Sequence, residues 1–196
     1  MGKLIAGFLL GLIVLPVSAA LWFHLGHPPV AVADPPFPQE RAITHMALDA
    51  RIDRESVKTP PIPVNEENLV AGARIYREQC AACHGLHGLP SSFGSEMYPD
   101  APPLWQKHKN NDVVGVSDDP PGETAWKVTN GIRLTGMPAY KKILSETEIW
   151  QVSLLLANAD KPLPQQVIDM MRQPLPSADA FPATTPKAET PAKPEK

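Results

Sequence analysis

Basic side chains are too few to dominate this chain: 18 Lys and Arg stand against 21 Asp and Glu, a formal net charge of −3. Nucleic-acid binding rests on clustered positive charge, so no nucleic-acid partner is expected. Strand-period alternation is also missing, and no internal repeat is visible, which points away from sheets and repeat arrays and toward an all-α fold. No activated nucleophile, general base or small-molecule substrate pocket can be picked out, so an enzyme is not expected. Cysteine is scarce as well: there are two, both within CAACHGLHG, residues 80–88.

Proline, in contrast, is abundant, at 24 of 196 residues, about 12% against a usual ~5%. Much of it lies outside the stretch expected to fold and marks linkers and tails. The N-terminus reads MGKLIAGFLLGLIVLPVSAALWFHLGHPP, without a charge from Leu4 to Phe23. That run has the ~20 residues with which a helix spans a ~30 Å hydrocarbon core. Membrane helices tolerate a proline such as Pro16, and Trp22 closes the run where an interfacial aromatic is favoured. Residues 1–25 are therefore read as a transmembrane anchor. The alternative is a cleaved signal sequence ending at Ala31-Val32-Ala33, although the run exceeds the ~7–15 residues of a signal core. On either reading the bulk of the protein leaves the cytoplasm. Lys3 alone supplies positive side-chain charge ahead of the run, so the positive-inside rule gives little guidance.

Residues 26–64 read as a proline-rich linker with one short amphipathic helix. In ERAITHMALDARIDRES, Ile43, Met46, Ala47 and Ala50 fall at helical spacing, on the domain or on the membrane surface. VKTPPIPV ends that helix. Residues 65–161 form the candidate domain. Asn65 suits an N-cap, Glu66 and Glu67 suit the positive end of a helix dipole, and Val64 can staple onto Leu69. Leu69, Gly72, Ala73, Tyr76 and Cys80 then share one face. Residues 85–122 lack periodicity and read as a long functional loop. PGETAWKVTNG is a short helix stopped by Asn130-Gly131, and IRLTGMPAYKKIL is mostly loop. Ser145-x-x-Glu148 is a capping box opening a last helix with Ile149, Val152, Ser153 and Leu156 on one face. Residues 162–196 read as a proline-rich, mostly disordered tail, in which PQQVIDMMR has room for one short turn. A domain this small is short of core, which a covalently held apolar cofactor would remedy.

Cys80-Ala81-Ala82-Cys83-His84 is C-x-x-C-H, the attachment motif of c-type haem. Each thiol adds across one vinyl group, and the two-residue spacer on a helical turn matches the vinyl separation. His84 then comes under the ring with its imidazole aimed at the iron. A redox dithiol would want a βαβ setting, and none is evident. A structural zinc site wants four N/S ligands. Cys80, Cys83, His84 and His87 have the right chemistry, yet all lie in one short stretch and would clip nothing distant together.

With these residues in place the chain resembles the cytochrome c family over about residues 65–161. Gly72-xxx-Tyr76-xxx-Cys80 resembles the family's N-terminal helix, where the glycine admits close contact with the C-terminal helix. Pro102-Pro103-Leu104 resembles the segment whose proline carbonyl accepts the proton on the far nitrogen of the ligand histidine. The loop between leaves Pro90 and Pro102 both open for that role. Gly136-Met137-Pro138 resembles the loop that carries the sixth ligand, and the helix after Ser145 the C-terminal helix that crosses the first. The resemblance implies an all-α, cytochrome c-like domain around one covalent haem c, preceded by one transmembrane helix. It implies haem bound through Cys80 and Cys83, with His84 and Met137 on the iron.

Ligand chemistry agrees. Iron with one imidazole needs a second strong-field ligand to stay low-spin, and a thioether stabilises the ferrous state. Inside the domain only Met97 and Met137 qualify, and Met97 reads as a loop methionine packing on the surface. His87 is too near His84 in sequence to reach the far face of the ring, and His108 reads as solvated. Trp105, Trp126, Asn130 and Arg133 either meet the haem and its propionates or, for the tryptophans, fill the core. Lys141 and Lys142 are either a docking pair for an acidic partner or simply solvated. The expected function is a membrane-anchored monohaem cytochrome c carrying single electrons between redox protein partners, its haem domain on the periplasmic or equivalent extracytoplasmic face. The alternatives are a haem-bearing subunit of a larger membrane oxidoreductase and a haem sensor.

Overall fold

The computed structural model describes residues 1–176; positions 177–196, where most of the expected disordered tail falls, lie outside the described residues. The chain divides into two compact units, the first Met1–Arg54 and the second beginning at Glu55. In the first, α1 spans Gly2–Leu25 with Pro16 inside it and no residue buried. It is long and apolar enough to cross a membrane, and such a helix at an N-terminus serves as an anchor or as a signal sequence. The Gly26 amide closes its last turn on the Trp22 carbonyl at 2.8 Å, and the Trp22 ring packs on Phe23 and Phe37. Helix α2, Glu40–Glu55, follows. Ile43 and Met46 are exposed on it.

In the second unit, α3 covers Glu66–Gln79, α4 is the single turn Ala81–His84, α5 covers Pro121–Asn130, α6 Glu146–Leu156 and α7 Gln165–Arg172. A 3-10 turn, Gly94–Glu96, lies in the loop after α4. Among the described residues there is no strand, only two isolated bridge pairs. The fold is all-α, as expected.

The helix ends follow their capping residues. The Asn65 side chain accepts from the Asn68 amide at 2.9 Å, and the Ser145–Glu148 capping box is complete in both directions, so both helices start where their exposed amides find oxygens. Helix α5 stops at Gly131, which takes φ 65°, a conformation open to glycine at little strain.

The main packing is α3 against α6, with α5 also on α6. Helix α3 buries Leu69, Gly72, Ala73, Ile75 and Tyr76, and α6 buries every residue from Ile149 to Leu156 except Gln151. At the crossing, a Cβ on Gly72 would stand 2.3 Å from the Gln151 carbonyl oxygen. Only the absence of a side chain lets the backbones meet. Beside that contact Gln151 donates to the Asn68 side chain at 3.1 Å.

Packing does not stop at Lys161, where the sequence suggests a tail. Helix α7 lies on α3, with Val167 and Met171 fully buried. The Arg77 guanidinium reaches across from α3 to the carbonyls of Met170, Gln173 (2.6 Å) and Pro174 (3.3 Å). The His87 amide donates to the Met171 carbonyl at 3.1 Å. A cation and an amide thus satisfy carbonyls that the end of α7 leaves without intrahelical partners.

Candidate functional site

Cys80 ends α3 and begins α4, and the chain winds once from it: the Cys83 and His84 amides both donate to the Cys80 carbonyl, at 3.2 and 3.0 Å. Gly85, at φ 73°, ends the turn. Cys80, Cys83 and His84 therefore share one helical turn, each half-buried, with both thiols free.

The loop after α4 wraps back over that turn. The Ser91 hydroxyl donates to the Ala82 carbonyl at 2.5 Å and accepts from the Gly94 amide at 2.9 Å. A Cβ on Gly94 would stand 2.0 Å from the Cys83 carbonyl oxygen, so the loop backbone lies directly on the motif. The Leu104 amide donates to the His84 carbonyl at 3.3 Å.

His84 Nδ1 lies 2.8 Å from the Pro102 carbonyl oxygen. A carbonyl only accepts, so Nδ1 carries the proton and Nε2 keeps its lone pair for another partner. Of the two prolines, Pro102 takes this role; Pro90 instead packs its Cα toward Gly85. Burial lowers the His84 pKa, partly opposed by the Pro102 bond, which favours the neutral imidazole, the form able to bind a metal. Burial first, and the neighbouring Cys83 second, push the Cys80 thiol up to about 12. A working redox dithiol needs the opposite shift. No group of three or more His, Cys, Asp and Glu side chains among the described residues is set to hold a metal ion, so the zinc reading gains no ligand set.

Met137 stands on a separate loop that folds back along α5. The Tyr140 and Lys141 amides donate to the Val128 and Thr129 carbonyls at 3.0 and 3.3 Å, and the Ile132 amide donates to the Met137 carbonyl at 3.3 Å. Thr135 Oγ1 accepts from the Met137 amide at 3.1 Å and donates to the Ile132 carbonyl at 2.7 Å. Met137 and Cys80 are both half-buried against the same core.

Tyr140 was not singled out by sequence. Its hydroxyl donates to the Gln79 carbonyl, one residue before Cys80, at 2.8 Å. That bond ties the far end of the Met137 loop to the start of the cysteine turn. Burial first, then Cys80 and Cys83, push its pKa up to about 12, so at neutral pH it is a donor. Its place three residues after Met137 is the signal sequence reasoning passed over.

Trp105 is buried, its ring edge-on to Tyr76 at 5.8 Å. The Tyr76 hydroxyl donates to the Gly85 carbonyl at 2.8 Å. Trp105 Nε1 is buried without a hydrogen-bond partner among the described residues, which invites an acceptor supplied by a bound group. The Trp126 indole donates instead to Glu55 at 2.9 Å. Asn130 and Arg133 are exposed, as are His87, His108, Lys141 and Lys142.

Residues 67–154 match the family model for cytochrome c oxidase, cbb3-type, subunit III. Over this segment the match supports a c-type cytochrome family. No curated protein and no solved structure gave a match. The matched span starts in the first turn of α3 and ends within α6, enclosing the cysteine turn and the Met137 loop. The cofactor of c-type cytochromes is covalently bound haem c, and the donors here suit it: two free thiols one turn apart, an imidazole with Nε2 available, and a buried indole N–H in want of an acceptor.

Proposed function

We propose that this protein is a membrane-anchored monohaem cytochrome c that carries single electrons between redox protein partners on the extracytoplasmic side, and that it is not an enzyme. Cys80 and Cys83 would hold the haem through thioether bonds, with His84 Nε2 and the Met137 sulfur as the iron ligands. Bound haem supplies a one-electron couple; the chain supplies ligands, burial and orientation. Pro102 fixes the imidazole tautomer, the Ser91–Gly94 loop covers the cysteine turn, and Thr135 and Tyr140 brace the methionine loop. The observation that carries the reading is the His84–Pro102 bond on a turn shared with both thiols. An anchor with a proline-rich linker would keep the domain concentrated near membrane partners.

The test is an absorption spectrum of the membrane fraction, repeated for Met137→Ala and His108→Ala. A low-spin c-type spectrum lost in Met137→Ala and kept in His108→Ala is expected. Unchanged ferric low-spin absorption in Met137→Ala would refute the ligand assignment. N-terminal sequencing decides the anchor: a mature terminus at Asp34 would mean a cleaved signal.

One observation favours a second reading. The matching family model is named for an oxidase subunit, which supports a haem-bearing subunit of a larger membrane oxidoreductase. Co-purification of a stoichiometric catalytic partner would select that reading over a free carrier.

A further inference from the structure

We propose that Met97 is a positioning residue for Met137: its side chain seats on Gly136 and holds the methionine loop closed. The inference rests on Met137 being the sulfur ligand. A Cβ built on Gly136 would stand 1.9 Å from the Met97 methyl carbon and 3.3 Å from its sulfur, and among the described residues, its two chain neighbours aside, no other atom approaches within 4 Å. The Met97 methyl therefore fills the place a side chain at position 136 would take. Met97 is half-buried although Ser95, Glu96, Tyr98 and Pro99 around it are exposed, so the loop turns this one side chain inward.

Met97 is itself held on the cysteine turn. Its amide lies 3.4 Å from the Gly94 carbonyl, and Gly94 is bonded to Ser91, which is bonded to Ala82. Met97 thus spans from the loop over the cysteines to the loop of the methionine. The Met137 loop needs such a brace. Leu134, Gly136, Pro138 and Ala139 are exposed, and Leu134 sits at φ 62°, an uncommon conformation for a side-chain-bearing residue. An unbranched thioether side chain adapts to an irregular backbone surface better than a branched one.

The test uses the full-length, haem-loaded protein in detergent and reads the ferric sulfur-to-iron charge-transfer band and the affinity for added imidazole, which competes with Met137. Apparent affinity scales with the open fraction of the loop, so Met97→Ala should weaken the band and tighten imidazole binding about tenfold. Met97→Leu should stay near wild type, since it keeps the packing without the sulfur. In the double variant Gly136→Ala/Met97→Ala the new methyl occupies nearly the vacated place, so imidazole affinity should return toward wild type, a non-additivity expected of touching groups. The proposal is overturned if Met97→Ala shifts imidazole affinity by less than about twofold, or if Met97→Leu is as damaging as Met97→Ala, which would make the Met97 sulfur a ligand. Met137→Ala separates the two levels. If it keeps the band, the ligand reading fails and the positioning role with it; if it loses the band while Met97→Ala changes nothing, only the positioning role fails.

Discussion

Replacing Gly72 should separate the two helices that build the core. An Ala Cβ there would stand 2.3 Å from the Gln151 carbonyl oxygen, 2.8 Å from its carbonyl carbon and 3.2 Å from Leu155 Cβ. Relaxed heavy-atom contacts lie near ~3.5–4.0 Å, so α3 and α6 must part by roughly 1 Å. The obstacle is helical backbone, which cannot swing aside as a side-chain tip can. Overpacking costs about 1–3 kcal/mol, and an obstacle of immovable backbone puts this site at about 2–3 kcal/mol. The helix propensity of Ala over Gly returns up to ~1 kcal/mol. We expect a net loss of about 1–2 kcal/mol for Gly72→Ala and about 3 kcal/mol for Gly72→Val, whose branched Cβ adds bulk at the same point.

The assay is urea unfolding of the haem-loaded full chain, followed by tryptophan emission, since Trp105 and Trp150 are buried near this packing. With a slope of about 1–3 kcal/mol per molar urea, the Gly72→Ala midpoint should fall by about 1 M at unchanged slope. A Gly72→Ala protein as stable as wild type, or more so, would refute the close approach, because propensity alone would then be acting.

Arg77→Ala should leave the carbonyls of Met170, Gln173 and Pro174 short of a donor and loosen α7. Cleavage within residues 165–172 under limited proteolysis should speed up; an unchanged cleavage rate would count against the cap. Ser145→Ala should destabilise the domain by about 1 kcal/mol through the lost N-cap, read as a lower urea midpoint. The Ser145 amide and hydroxyl hold the Glu148 carboxyl below its ordinary 4.5. The folded value being the lower, this contribution is full above about pH 4.5 and fades as pH falls through the folded value. That part of the acid slope should vanish in Glu148→Gln.

Much of the domain was legible because its rules are local. Asn65 and Ser145 announce helix starts within four residues of themselves, and Gly131 announces a stop. The face of α3 repeats at the helical step and delivers Cys80 at its end. The contacts that escaped reading link distant residues through irregular backbone. Nothing in the spacing from His84 separates Pro90 from Pro102; the choice follows from how Ser91 and Gly94 fold onto the cysteine turn. Met97 and Gly136 meet only because two loops, each anchored elsewhere, approach one another.

Helix α7 was underestimated for a related reason. Pro162 and Pro164 read as the stop of α6, yet α6 already ends at Leu156, and Pro164 instead stands at the start of the next helix, directly before Gln165. A proline just ahead of a helix interrupts and initiates at once, and sequence alone favours the first meaning. What decides is an apolar face with a place to go, and Val167 and Met171 find theirs against α3. The partner that secures α7 is Arg77, on the face of α3 that binary pattern assigns to solvent. An arginine there reads as solubility until its guanidinium is seen on the carbonyls of Met170 and Gln173. The same α3 thus presents its buried stripe to α6 and the cysteine turn at its end, while Arg77 couples α7 to the stretch that leads into Cys80. Loss of α7 packing should therefore be felt first at that cysteine turn, where the His87 amide also rests on the Met171 carbonyl, and less on the methionine loop, which is braced from α5 and Tyr140.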